Sequence, residues 1–76
     1  MAELVFVTRA GCSLCAEAQP LVERLAARAG VAVVVADVDL EPALALWSDH
    51  VPVVLLDGVV HSRWWVDEKE LARALR

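Results

Sequence analysis

Two cysteines, Cys12 and Cys15, are the only thiols in the chain, and they stand in the run Thr8-Arg9-Ala10-Gly11-Cys12-Ser13-Leu14-Cys15. Their spacing sets one thiol a single helical turn from the other, close enough to close a disulfide. An apolar run, Leu4 to Val7, leads into the pair, and a helix-patterned segment leaves it. A cysteine at a helix start faces unpaired backbone N–H groups and the positive end of the helix dipole. Both favour the thiolate, the nucleophile of thiol–disulfide exchange. A C-x-x-C at a strand-to-helix junction in a small chain therefore reads as a redox pair, with Cys12 as nucleophile and Cys15 as the thiol that resolves it. Two other readings of the pair are inert buried thiols and half of a metal site. A structural zinc site needs four ligands, and only His50 and His61 could join the cysteines, without finger-like spacing. A cluster bridged between subunits would need fewer ligands from each chain.

The rest of the composition narrows the class. Seventy-six residues suffice for one domain, 1–76, near the lower limit for a chain that folds on its own core. A hydrophobic fraction of 59% argues against disorder, yet the longest apolar run, Val31 to Ala36, is far too short to span a membrane. Met1-Ala2-Glu3 lacks the basic, then apolar, start of a signal peptide, so the expected compartment is the cytoplasm. A net charge of −4, with the basic residues spread along the chain, speaks against nucleic acid as a partner.

The elements that must position the thiols follow from periodicity. Glu3 to Thr8 reads as a strand buried on both faces, because Leu4-Val5-Phe6-Val7 does not alternate. Leu14, Ala18, Leu21, Val22, Leu25 and Ala29 recur at helical spacing from Ser13, and Gly30 ends that helix. Pro20 falls inside it and is expected to kink it. Val31 to Val38 reads as a second buried strand, parallel to the first. A short helix is expected from Asp39-Leu40-Glu41-Pro42 to about Ser48, with Asp39 as its cap. Pro52 to Leu56 forms a third strand, and Asp57-Gly58 turns the chain into a fourth, Val59 to about Trp64. Asp67 caps a last helix whose inward residues are Leu71, Ala74 and Leu75.

This order, with Cys12-Ser13-Leu14-Cys15 after the first strand and Val51-Pro52 before the third, resembles the glutaredoxin branch of the thioredoxin fold. It is most similar to the short glutaredoxin-like proteins of bacteria, from Leu4 to Leu75. The resemblance implies an α/β fold with a four-stranded mixed sheet in the order 2-1-3-4, the third strand antiparallel. Two of its three helices would cover one face and one the other. It implies that Cys12 and Cys15 are the catalytic pair and form the redox-active disulfide. It further implies that Pro52 is cis and that Val51 offers its backbone to a substrate. Arg9 stands where glutaredoxins carry a cation for the glutathione carboxylate, and Asp67 where an aspartate holds the γ-glutamyl group.

Two departures bear on the partner: the usual C-P-Y-C is C-S-L-C, and Trp64 and Trp65 stand where a glycine pair is expected. The function expected is a thiol–disulfide oxidoreductase with no bound cofactor and with weak glutathione dependence. It would act on a disulfide in a protein or small molecule and be regenerated by an external thiol, glutathione among the candidates. The alternatives are a binding or redox-sensing module and a metal or iron–sulfur carrier. For the remaining residues the bland reading is preferred. His50 would meet helix-end carbonyls, His61 would be a solvated strand residue, and one of Trp64 and Trp65 would be core and the other exposed.

Overall fold

A computed structural model describes residues 3–76. Four strands, β1 (Leu4–Thr8), β2 (Val33–Asp37), β3 (Val53–Leu56) and β4 (Val59–Arg63), form one sheet in the order β2-β1-β3-β4. β2 lies parallel to β1, while β3 runs antiparallel to both β1 and β4. α1 (Ser13–Ala29) and α2 (Glu68–Ala74) flank the sheet, and a 3-10 helix spans Pro42–Trp47. This is the topology implied by the sequence resemblance.

The unalternating apolar sequence of β1 is explained by burial on both sides. Leu4 and Phe6 sit in one core cluster with Val22, Leu25 and Ala26 of α1, Val54 of β3 and Leu71 of α2. Val7 sits in the other with Val53 and Val38, closed by Leu44 and Trp47 of the 3-10 helix. Two helices thus cover one face and one the other. α1 is continuous through Pro20, which lies on its exposed side. It stops where the Gly30 and Val31 N–H groups return to the carbonyls of Ala27 and Ala26, a closed helix terminus of the kind glycine permits. The Asp57-Gly58 hairpin turn has both residues in the left-handed region, φ 51° and 82°, as a two-residue turn of this hand requires. Asp57 also receives the Glu3 N–H on its carboxylate at 2.8 Å, pinning the turn to the start of β1.

Several expectations need correction. β2 is an edge strand, not a buried one, and Val34 and Val35 are about half exposed because, among the described residues, no fifth strand or further helix covers them. The segment after β2 begins its helix only at Pro42 and winds as 3-10, with Leu44 N–H bonding to Glu41 C=O. Six residues opened by a proline are too few to set up the i-to-i+4 ladder, and the tighter form suits such short pieces. Its cap residue is Glu41, without a side-chain bond, so Asp39 is not the cap. In α2, Ala74 is exposed and Ala72 packs toward the core in its place. β4 ends at Arg63, and a bulge at His61 sets Val54 against Ser62 but Leu55 against Val60. His61 is consequently half-buried, with Nδ1 shielded from solvent, and is not a solvated strand residue.

Phe6 is the largest fully buried side chain and belongs to the cluster that joins the sheet to both α-helices. Phe6→Ala should lower unfolding stability by about 3–5 kcal/mol, read by urea denaturation.

Candidate functional site

The cysteine pair stands at the carboxyl end of β1, where one tight turn converts strand into helix. Cys12 N–H bonds back to Arg9 C=O at 3.3 Å, and Gly11 inside that turn has φ 76°, a conformation that costs other residues strain. The turn delivers Cys12 to the N-cap of α1 with extended backbone. Cys12 Sγ there accepts the Cys15 N–H at 3.1 Å. A sulfur thus takes the place of the usual Ser, Thr or Asp oxygen at a helix cap. Cys12 and Cys15 are joined as a disulfide, their Cα atoms 5.3 Å apart. Cys12 is half-buried, while Cys15 is only 2% exposed and belongs to the main core cluster. The two sulfurs are chemically alike and positionally unequal. One can be approached from solvent and the other cannot.

The Val51–Pro52 peptide bond is cis, and Pro52 is fully buried. Val51 packs against both core clusters, and Cys12 and Val66 pack against one of the same two. Among the described residues, the Val51 N–H and C=O take no hydrogen-bond partner.

Arg9 lines a hollow of about 410 Å³ with Thr8, Gly11, Cys12, Ser13, Ala16 and Gln19. It is not a free cation. Its Nε pairs with Asp39 at 3.3 Å, and another guanidinium nitrogen donates to the Ser48 carbonyl at 3.3 Å. Arg9 thereby ties the loop before Cys12 to the segments on either side of the 3-10 helix, and Asp39 is the acid of this brace. Asp67 is the N-cap of α2, its Oδ1 accepting the Glu70 N–H at 2.9 Å. That oxygen therefore already has a structural duty, although the residue is exposed.

The tryptophans overturn the expectation that one of them is core. Trp64 and Trp65 are 46% and 72% exposed, because the chain leaves β4 after Arg63 and the strand alternation no longer applies to them. Trp64 has φ 67°, the left-handed region that a bulky side chain rarely occupies. Three contacts hold it there. Its backbone N–H is shared by the carbonyls of His50 and Pro52, at 3.1 and 2.9 Å. Its indole Nε1 donates to Asp49 C=O at 3.2 Å, and its ring lies 5.5 Å from the imidazole of His50. His50 also meets Trp47 edge-on at 6.1 Å. Its side chain thus meets two indoles, and among the described residues its Nδ1 has no hydrogen-bond partner, so it does not serve helix-end carbonyls. Sequence reasoning missed this aromatic clamp. The only signal was three tryptophans and a histidine in a short, aromatic-poor chain.

Among the described residues, no three His, Cys, Asp or Glu side chains group as a metal site would require, and no helix is long and apolar enough to cross a membrane.

Residues 3–76 match the family Glutaredoxin-like domain (DUF836), and the chain belongs to that family. An uncharacterized protein of Mycobacterium tuberculosis is 39% identical over 75 residues, covering 91% of this chain and 77% of its own. An uncharacterized protein of Mycobacterium bovis matches with the same identity and coverage. A solved structure described as that of a malarial protein superposes with a TM-score of 0.74, covering 99% of this chain and 92% of its own, at 18% identity. That likeness bears on the fold alone. Family, fold and the disulfide-linked Cys12–Cys15 pair together define a redox-type protein of the thioredoxin fold.

In the reduced protein, iodoacetamide near neutral pH should label Cys12 well ahead of Cys15, because burial protects the second sulfur. Peptide mass mapping reads this, and preferential labelling of Cys15 would reverse the roles.

Proposed function

We propose that this protein is a thiol–disulfide oxidoreductase that cycles between a Cys12/Cys15 dithiol and its disulfide, most consistent with work in the reducing cytoplasm. One observation carries the reading: an approachable sulfur caps α1 at Cys12 while its disulfide partner Cys15 lies buried one turn further on. In the reduced protein the Cys12 thiolate attacks one sulfur of a substrate disulfide. A Cys12–substrate bond forms, the substrate S–S bond breaks and one substrate thiolate leaves. The Cys15 thiolate then attacks Cys12 Sγ and expels the second substrate thiolate. Two electrons have passed from the protein dithiol to the substrate, and solvent supplies protons to the released thiolates. An external thiol reductant returns the dithiol by the same exchange in reverse.

The helix N-terminus contributes at both steps in which Cys12 Sγ carries charge. The Cys15 N–H is directed at this sulfur, and the field of the first turn adds to it. The pair of thiols and the helix end supply the chemistry, so the cycle needs no bound cofactor. The Val51 backbone, unpaired among the described residues, is suited to hold an extended substrate by main-chain bonds. Arg9 lines the hollow on Cys12 and is suited to a carboxylate there, although Asp39 already shares its charge. Asp67 is the weakest of the expected binding groups because its Oδ1 is used by the α2 cap.

Cys12→Ser should abolish reduction of a model disulfide, and Cys15→Ser should accumulate a mixed disulfide at Cys12 visible by mass spectrometry. Wild-type activity in Cys12→Ser would refute the dithiol cycle.

Glutathione is assigned a minor part as reductant. A glycine position lets a ligand approach the backbone, and an indole takes that room. Trp64 occupies such a position in a glycine-like conformation. Trp64→Gly should therefore raise glutathione-dependent turnover relative to the unmodified protein. Efficient glutathione turnover by the unmodified protein would overturn the assignment.

A further inference from the structure

A groove of about 190 Å³, lined by Leu14, Glu17, Ala18, Leu21, Trp64, Trp65 and Val66, begins one residue from Cys15 and shares no lining residue with the hollow at Arg9. Leu14, between the two cysteines, is the first residue of its floor. Residues 14, 17, 18 and 21 fall at helical spacing and present one strip of α1 to it. Leu14 is 50% exposed although its spacing marks it for the core, and Trp65 is the most exposed large aromatic of the chain. Apolar surface is thus kept open at the reactive end of the molecule.

Trp64 is the second observation. An L-residue in the left-handed region is strained, and such strain persists only where surrounding contacts impose it, most often at functional sites. The Asp49 carbonyl accepts the indole N–H and the His50 ring packs against the indole, which lines the groove.

The third is charge. Glu17 is the one charged side chain on the lining, and it forms no ion pair among the described residues. Arg63 does not compensate it. Arg63 pairs with Val53 across β3 and β4, and Val53 belongs to the core on the 3-10 helix face, so cross-strand partners sharing a face turn Arg63 away from α1. Arg24, on the next part of α1, is engaged with Glu68.

We propose that this groove selects protein disulfides by taking a lysine or arginine side chain that lies near the substrate cysteine. The inference rests on the oxidoreductase reading and names the substrate class for it. The aliphatic stem of such a side chain covers Leu14 and Leu21, its cationic head faces the indoles and meets the Glu17 carboxylate. A cation seated there also lowers the charge cost of the cysteine thiolate that must leave the substrate, so binding and leaving-group stabilisation act together. The exchange itself is unchanged: Cys12 bonds to the substrate sulfur, the substrate disulfide breaks, and its two electrons come from the Cys12/Cys15 dithiol.

The test uses the reduced full chain and short peptide disulfides in which lysine, norleucine or glutamate stands one or two residues to either side of the cysteine. Second-order rates of protein oxidation are followed by intrinsic tryptophan fluorescence. At the best position, lysine peptides should react about two- to fivefold faster than norleucine peptides, the range expected for a cation over exposed aromatic rings. Glutamate peptides should be slowest. Glu17→Gln should bring the lysine-to-norleucine ratio toward one. Trp65→Ala should slow norleucine peptides by removing their wall and slow lysine peptides more, because the cation also loses an indole face. Glu23→Gln, on α1 but outside the groove, should leave the ratio as it is.

Equal rates for lysine and norleucine at every position would overturn the cation preference while leaving the oxidoreductase reading intact. So would a ratio insensitive to Glu17→Gln, or one shifted as far by Glu23→Gln, which would mark a general effect of the acidic protein. Failure to reduce any of the peptides, norleucine included, would remove both proposals.

Discussion

The turn that joins the end of β1 to the first residue of α1 is the constraint on which the rest of the molecule depends. Within Arg9 to Cys12 the chain must stop being a strand, reverse through Gly11 and present a sulfur where the helix needs a cap. That demand fixes both ends of the turn. β1 cannot slide, because Leu4 and Phe6 fill one core while Val7 fills the other, and a slip by one residue would exchange the faces. α1 cannot rotate, because Cys15, Ala18, Val22 and Leu25 are committed to the same core as Phe6. The disulfide is therefore set by packing on both sides of the sheet.

Supporting contacts converge on this junction from distant parts of the chain. Arg9 reaches Asp39 and the Ser48 carbonyl, bracing the loop against the segments around the 3-10 helix. The Trp64 backbone N–H returns to His50 and Pro52, so the end of β4 secures the segment that carries Val51. A 76-residue chain has little core to spare, and it secures its reactive end with polar and aromatic contacts outside that core. Open apolar surface is usually a liability for a small protein. Here part of it lies in one groove, at Leu14, Trp64 and Trp65, with the Glu17 carboxylate among it. The cost of a bulky residue in left-handed backbone at Trp64 is understandable if the indole has work to do at that rim.

Much of this was legible in the residues. The apolar run of β1, the 3-and-4 spacing after Ser13, the Asp57-Gly58 turn and the Asp67 cap report local preferences that neighbours along the chain express by themselves. The C-x-x-C at a strand-to-helix change pointed to Cys12 and Cys15 as a disulfide-forming pair, because its meaning comes from spacing and from the helix end. Combined with Val51-Pro52, it pointed to the family and the sheet order.

What the tertiary structure alone decided lies where periodicity says nothing about what stands opposite. The apolar residues of β2 read as buried, yet burial requires a covering layer, and an edge strand with no neighbour leaves Val34 and Val35 half exposed. Strand alternation assigned Trp64 and Trp65 to opposite faces, but the chain leaves β4 at Arg63 and the rule lapses one residue too soon. His50, Arg9 and Asp39 are polar residues whose partners are up to 39 positions away, and no local pattern announces such pairs. Local sequence thus determined which segments become strands and helices and which two sulfurs pair, because those outcomes follow from short-range geometry. The surroundings of the cysteine pair, the Arg9–Asp39 brace and the contacts of Trp64 with Asp49 and His50, came only with the fold, because each joins segments that meet in space alone.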